Sequence, residues 1–260
     1  MDVSFLTNLF GLQGRNAIIT GATGGLGSAI ALALAKAGAN IVFIEAPNDP
    51  NSNALHDLLA PTEREITSFN CDLASSQSIR ECYARMWAEG IVPDILVNVA
   101  GVMARNQCEN ATDEEIDFLM AVNQRAVYVS MQEFGRKVLG LGRKGKIINI
   151  ASVTAFQANI NTSVYGMTKG AVVQMTKSFS NEWAGRGINV NAIAPGFMRT
   201  NMTEVYARDE EYTRYLMQRV PAARWGMPED LVGAAIYLAS AASDFTNGVT
   251  LIVDGGFVGK

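Results

Sequence analysis

Tyr165 and Lys169 stand at i and i+4 in the stretch Tyr165-Gly-Met-Thr-Lys169. In a helix that spacing puts a phenol and an ammonium on one face. A free phenol ionises near pH ~10, and a cation close by favours the phenolate. Such a pair can hold and release a proton near neutral pH, which is general acid–base chemistry. Alone, the spacing also describes a solvated cation–π pair on a helix surface. Ser152, upstream of it, adds a hydroxyl able to bond a carbonyl oxygen while the phenol delivers its proton.

A second constellation binds instead of reacting. Thr20-Gly-Ala-Thr-Gly-Gly-Leu-Gly27 follows an apolar run at 16–19 and opens into a helical pattern. Glycine lets a backbone turn sharply and lie against a ligand, and a helix N-terminus presents free N–H groups to a phosphate. Strand, glycine turn and helix in that order hold a dinucleotide pyrophosphate. Gly21, Gly25 and Gly27 follow G-x-x-x-G-x-G, longer than the common G-x-G-x-x-G, with Thr23 and Leu26 inside the loop. The second apolar run ends at Glu45, whose carboxylate can accept both adenosine ribose hydroxyls and repel a 2′-phosphate. Ala46, Pro47 and Gly24 bring no positive charge. The expected cofactor is therefore NAD.

These residues need a scaffold. Strand-like runs fall at 16–20, 40–45, 65–70, 94–99, 146–150, 189–194 and 250–253, several of them continuous Ile/Val stretches as in sheets covered on both faces. Helical patterns lie between, at 25–37, 52–60, 75–89, 113–138, 163–186 and 229–241. Thr112-x-x-Glu115 and Pro228-Glu-Asp mark helix starts. Alternating strand and helix predicts an α/β, single-domain, doubly wound (Rossmann) parallel sheet of about seven strands with helices on both faces, spanning residues 1–260. Ser152 and Asn98 then sit at the carboxyl edge of the sheet, where such folds bind ligands. The excursion 196–227 is placed to act as a substrate lid or an oligomer contact.

Composition excludes several other classes. The 260 residues are 48% hydrophobic and 18% charged with net charge −4, so a sizeable core is easily filled and no nucleic-acid surface is indicated. Cys71, Cys82 and Cys108 form no C-x-x-C, arguing against a disulfide framework and for a reduced, cytoplasmic setting. His56 is the only histidine, which removes multi-histidine metal sites, and its polar neighbourhood predicts an exposed side chain. No metal is expected. The stretch Met1-Asp-Val-Ser-Phe5 lacks the marks of a signal peptide, and no run is long and apolar enough to suggest a membrane span.

Taken in order, the glycine turn, Asp72, Asn98-Val-Ala-Gly101, Asn123, Ser152, Tyr165/Lys169, Pro195-Gly196 and Val253-Asp-Gly-Gly256 resemble the short-chain dehydrogenases/reductases over essentially the whole chain. The resemblance implies an oxidoreductase in which Tyr165 is the general acid or base and Lys169 holds the nicotinamide ribose and lowers the phenol pKa. Ser152 would orient the substrate and Asn123 anchor a relay water. It implies that Asp72 and Leu73 contact adenine, that Asn98, Ala100 and Gly101 line the cofactor, and that Pro195, Gly196, Met198 and Thr200 wrap the carboxamide. Val99 departs from the family's N-N-A-G, which implies a packing adjustment. Longer stretches such as Pro221-Ala-Ala-Arg-Trp-Gly226 resemble the branch acting on sugar acids of the 2-deoxy-D-gluconate and 2-dehydro-3-deoxy-D-gluconate type. A sugar acid needs a cation, for which Arg105 is the candidate, and Gln157 is placed to bond a hydroxyl. The alternatives are a ketoreductase for 3-oxoacyl, polyol or aromatic carbonyls and a non-catalytic NAD-binding protein; Glu45 and the intact Ser152–Tyr165–Lys169 set count against them. The family also implies a homotetramer.

Overall fold

The computed structural model describes residues 3–260; Met1 and Asp2, part of the segment read above for targeting, lie outside the described residues. In chain order the helices are α1 (Val3–Phe10), α2 (Gly25–Lys36), α3 (Ser52–Leu59), α4 (Ser76–Ala88), α5 (Asp113–Met120), α6 (Ala126–Gly140), α7 (Ser163–Trp183), α8 (Glu204–Ala207), α9 (Glu210–Met217) and α10 (Val232–Ala239). The strands are β1 (Asn16–Thr20), β2 (Asn40–Glu45), β3 (Ile66–Asn70), β4 (Ile95–Asn98), β5 (Gly145–Ile150), β6 (Ile188–Pro195) and β7 (Thr250–Val253). They form one parallel sheet of seven strands in the order β3-β2-β1-β4-β5-β6-β7. The expected doubly wound architecture is therefore present.

The alternation of side chains along each strand builds two cores at once. Ile18, Val42, Leu96 and Ile147 pack on one face with residues of α4, α6 and α7. Ala17, Ile19, Phe43 and Val97 pack on the other with residues of α2, α3 and α10. Because both faces are covered, the strands read as unbroken apolar runs. Strand order reverses direction around β1 and β4, so their C-terminal ends open the crevice in which doubly wound folds take ligands.

Several boundaries differ from expectation for identifiable reasons. The pattern at 113–138 is not one helix: a π-helical turn at Ala121–Arg125 separates α5 from α6 and buries Asn123 completely. A period of 3.6 residues hides such an inserted residue, because the apolar face resumes after it. Helix α1 escaped notice and buries none of its residues. His56 is not a free surface side chain; it is half-buried, its ring edge-on to Phe43 at 5.0 Å. The excursion 196–227 carries α8 and α9 and is clamped at its base, where Met198 bridges Gly226 in parallel. Leu216, Val220, Val153 and Phe257 form a small core beneath it, with Phe197 edge-on to Phe257 at 5.0 Å. Among the described residues no helix is long and apolar enough to cross a membrane.

Strands β4 and β5 are also tied by side chains. Asn98 pairs in register with Asn149 and donates its amide to Asn149 Oδ1 at 2.8 Å, while Asn149 donates to Thr176 of α7 at 3.0 Å. All three are buried. Replacing Asn149 with Ala strands the buried Asn98 donor, while the Thr176 hydroxyl loses an incoming donor but keeps its own bond to the Val172 carbonyl at 2.8 Å, an effect of about 1–3 kcal/mol. Urea denaturation of Asn149→Ala should show that loss; a change below about 0.5 kcal/mol would mean the network is dispensable.

Candidate active site

The glycine turn is shaped by contact with the neighbouring strand end. Gly21 has φ +67°, and a Cβ there would lie 2.7 Å from Ala100 Cα. A Cβ at Gly27 would overlap the Gly21 carbonyl oxygen. Only glycine lets the β1 turn touch the loop after β4 and lets α2 start against that turn. Ala100 is held there by its N–H, which donates to the Thr20 carbonyl at 3.1 Å. Helix α2 begins after Gly24 with no side-chain cap, so no side chain occupies its first-turn N–H groups. Beside it Glu45 is 7% exposed and its Oε2 has no hydrogen-bond partner. A buried carboxylate oxygen of that kind calls for a donor, and ribose hydroxyls are such donors. The residues present thus fit a nicotinamide dinucleotide.

The reactive residues converge at the ends of β4, β5 and α7. Ser152 follows β5 in extended conformation, 8% exposed, and accepts the Thr154 N–H at 3.1 Å. Tyr165, in the first turn of α7, hydrogen-bonds the Ser152 hydroxyl. Lys169, one turn later and buried, donates to the Ile150 carbonyl at 2.8 Å, with Nζ 5.7 Å from the Tyr165 ring centroid. A Cβ at Gly101 would lie 3.3 Å from Asn123 Oδ1 and 3.4 Å from Lys169 Nζ, so those groups and that backbone enclose one small space. Asn123 is fastened by both ends of its amide. Its Oδ1 accepts the Val102 N–H at 2.8 Å, and its Nδ2 donates to the Val102 carbonyl at 2.8 Å and to Thr168 at 3.3 Å. The π-helical turn aims it there.

Electrostatics differ from the simple expectation. Burial pushes the Tyr165 phenol above its ordinary value, and the Ser152 hydrogen bond opposes that rise. Burial also lowers the Lys169 ammonium to about 8. Loss of water around both groups thus sets the direction of each shift, and for the phenol that direction is opposite to the lowering expected from Lys169.

The cleft is lined by Leu26, Val99, Gly101, Ser152, Tyr165, Lys169, Pro195, Gly196, Met198 and Thr200. Two expected residues are placed otherwise. Asn98 does not line it, because its side chain turns inward to Asn149 at 2.8 Å. Gln157 is not on its wall either. The short 3-10 turn Val153–Ala155 turns Thr154 toward the cleft, and the Gln157 N–H folds back onto the Val153 carbonyl at 2.9 Å. Thr154, with a buried, unpartnered hydroxyl, was not expected. At the sheet edge Asp72 is exposed and its Oδ1 accepts the Ala74 N–H at 2.9 Å, while Leu73 packs on the core. Thr23 donates to Asp49 at 2.7 Å.

Arg105 lies in the cleft wall as expected, but in unexpected company. Its guanidinium stacks 4.0 Å over the Tyr206 ring and donates to the Tyr212 hydroxyl at 3.4 Å, and its Nε is buried without a partner. Tyr206 and Tyr212 come from α8 and α9, remote in sequence from Arg105. Their clustering in the excursion was the only sequence signal.

Residues 21–258 match the family model described as enoyl-(acyl carrier protein) reductase. The chain belongs to the short-chain dehydrogenases/reductases. As a member of this family it is an oxidoreductase acting on CH–OH groups. It is 40% identical over 258 residues to a 2-dehydro-3-deoxy-D-gluconate 5-dehydrogenase of Bacillus subtilis, covering 99% of this chain and 100% of that one. It is 38% identical over 255 residues to the protein of the same name from Dickeya dadantii, covering 98% and 100%. A gluconate 5-dehydrogenase from Burkholderia cenocepacia, solved in complex with NADP and tartrate, superposes with a TM-score of 0.93 at 37% identity, covering 98% of this chain and 99% of that one.

The contact between Gly21 and Ala100 gives a direct test. Gly21→Ala puts a methyl group into the Ala100 backbone at a left-handed φ, which should lower stability by about 2 kcal/mol or more. Dinucleotide affinity, read by NADH fluorescence titration, should fall at least ten-fold; wild-type affinity would show the contact to be unimportant.

Proposed function

We propose that the protein interconverts a secondary alcohol and a ketone on a sugar acid of the 2-dehydro-3-deoxy-D-gluconate or 2-deoxy-D-gluconate type, with NAD(H) as the redox partner. The observation that carries this reading is the buried, unpartnered Nε of Arg105 in the same cleft as Ser152 and Tyr165. A carboxylate at one end of a small polyol and a reacting oxygen at the other would satisfy both groups. The names of the relatives support a sugar acid, and the Burkholderia protein was solved with tartrate, itself a hydroxy acid.

The nicotinamide ring, when bound, donates or accepts the hydride. Ser152 bonds the reacting oxygen and holds it against the phenol. In reduction Tyr165 gives its proton to that oxygen; in oxidation its phenolate takes the proton back. The raised phenol pKa keeps Tyr165 neutral near pH ~7, the form reduction needs. Lys169 uses one donor on Ile150 and has others left for the nicotinamide ribose. Asn123 orders the backbone at Val102 and borders the space where a relay water would sit. Pro195, Gly196, Met198 and Thr200 shape the nicotinamide end, and the 196–227 segment closes over the substrate with Arg105 against its tyrosines. Asp72 and Leu73, just past the end of β3, would meet the adenine.

Glu45, with Ala46, Pro47 and Gly24 around it, favours NAD(H): a carboxylate and no cation meet the 2′ position. Relatives of this fold do accept the extra phosphate, as the NADP in the Burkholderia protein illustrates. Exposed Phe118, Tyr128 and Met167 on α5, α6 and α7 offer an apolar face for a homotetramer. Free cysteines suit a cytoplasmic protein.

Tyr165→Phe should reduce turnover in both directions by about 10²–10⁴-fold while the dinucleotide still binds. In the wild type, kcat/KM for oxidation should rise with pH as the phenol ionises. Reduction should fall through about pH 8 and above, as Lys169 loses its charge and then the phenol loses the proton it must deliver. Near-wild-type turnover of the variant would refute the assignment. Arg105→Ala should raise KM for the sugar acid by about ten- to a hundred-fold, the worth of a charged hydrogen bond, and leave a neutral ketone of similar size little affected. An unchanged KM would remove the carboxylate role.

A further inference from the structure

The loop between β2 and α3 carries a carboxylate that none of these roles uses. Asp49 Oδ2 accepts the Thr23 hydroxyl at 2.7 Å, and Oδ1 accepts the Asn51 N–H at 2.9 Å. The Asp49 N–H donates to the Ala46 carbonyl at 3.1 Å, closing a tight turn in which Asn48 adopts φ 60°. That turn carries the chain back from the end of β2 and lays the carboxylate on the glycine loop. Asp49 is half-buried and has both oxygens engaged, so it is held in place.

Its position relative to the cofactor follows from the two ends already described. A dinucleotide with its pyrophosphate at the start of α2 and its adenosine ribose on Glu45 spans the interval between the glycine loop and β2. Asp49 bridges that same interval through Thr23. A substituent on the ribose 2′ oxygen would therefore lie between Glu45 at the end of β2 and Asp49 on the loop. Gly24, Ala46, Pro47 and Asn48 contribute no cation between them. Two fixed carboxylates facing a phosphate dianion repel it, and the contribution of the half-buried one is screened by salt.

We propose that Asp49, pinned to the glycine loop through Thr23, is a second selectivity residue that rejects dinucleotides bearing a 2′-phosphate, acting in addition to Glu45. The inference rests on the NAD(H) reading above.

NADH and NADPH are titrated by fluorescence into the wild type, Asp49→Asn, Glu45→Gln and the double variant at low and high salt. Asparagine can still accept the Asn51 N–H through its oxygen and donate its amide to the Thr23 hydroxyl, so the bridge to the glycine loop is kept in reversed direction while the charge is removed. In Asp49→Asn the ratio of NADPH Kd to NADH Kd should fall about ten-fold at low salt, as removal of a close like charge predicts. The gain should shrink at high salt and add to that of Glu45→Gln. An unchanged ratio in Asp49→Asn, in a wild type that prefers NADH, overturns the role of Asp49 alone. A wild type that prefers NADPH overturns the NAD(H) reading itself, and the salt-dependent shift in Asp49→Asn then still reads out whether Asp49 repels.

Discussion

The site depends on one buried cation. Lys169 sits inside the protein with its ammonium donating to the Ile150 carbonyl at 2.8 Å. An ammonium has three donors, and leaving them unmatched away from water is unfavourable. The arrangement holds because α7 lies across the end of β5, so the last carbonyl of that strand is available as an acceptor. The same crossing sets Tyr165 beside Ser152 and brings Gly101 and Asn123 up to the lysine. Burial lowers the ammonium toward about 8 and raises the phenol. A ligand that brings hydroxyls to the remaining lysine donors would restore some of the lost solvation, coupling cofactor binding to the acid–base state of the site.

Opposite this cation, the adenosine end is built on carboxylates. Glu45 ends β2 with an oxygen that nothing in the chain satisfies, and Asp49 is held by two hydrogen bonds. Between them a pyrophosphate would meet only backbone dipoles, because the glycine turn and the uncapped start of α2 carry no cation. A chain of net charge −4 thus holds an anion by local geometry, not by a general positive field.

The third part of the site is supplied from far along the chain. Arg105 leaves β4 on one side of the cleft, and the aromatic rings it stacks on come from α8 and α9 on the other. The base of that segment is fixed by the Met198–Gly226 bridge and by a small apolar core that includes Phe257 from near the C-terminus. The segment is therefore anchored at its base while its outer part carries the exposed Met202 and Val205. Contact between the aromatic rings of this segment and Arg105 in the cleft wall ties the position of the segment to that of the cation.

Residue identity and spacing alone settled the alternation of strand and helix, the glycine turn, Ser152 with Tyr165 and Lys169, and the carboxylate at the end of β2. Those features are local: a period of two or 3.6, a glycine where the backbone must turn, a phenol one helical turn from an amine. What the sequence could not decide was which groups lose water and which side chains meet across the sheet. Asn98 looked like a cofactor residue and became a strand tie, because its partner Asn149 is brought beside it only by the β4–β5 register. Thr154 was brought to the cleft by a single 3-10 turn, and it shares with Gln157 a buried side-chain oxygen without a partner. Burial raised the Tyr165 phenol, opposite to the lowering expected from Lys169, and the Thr23–Asp49 and Arg105–Tyr206 contacts join segments that spacing does not relate. Local chemistry is written in the order of residues; desolvation and long-range contact exist only once the chain has folded.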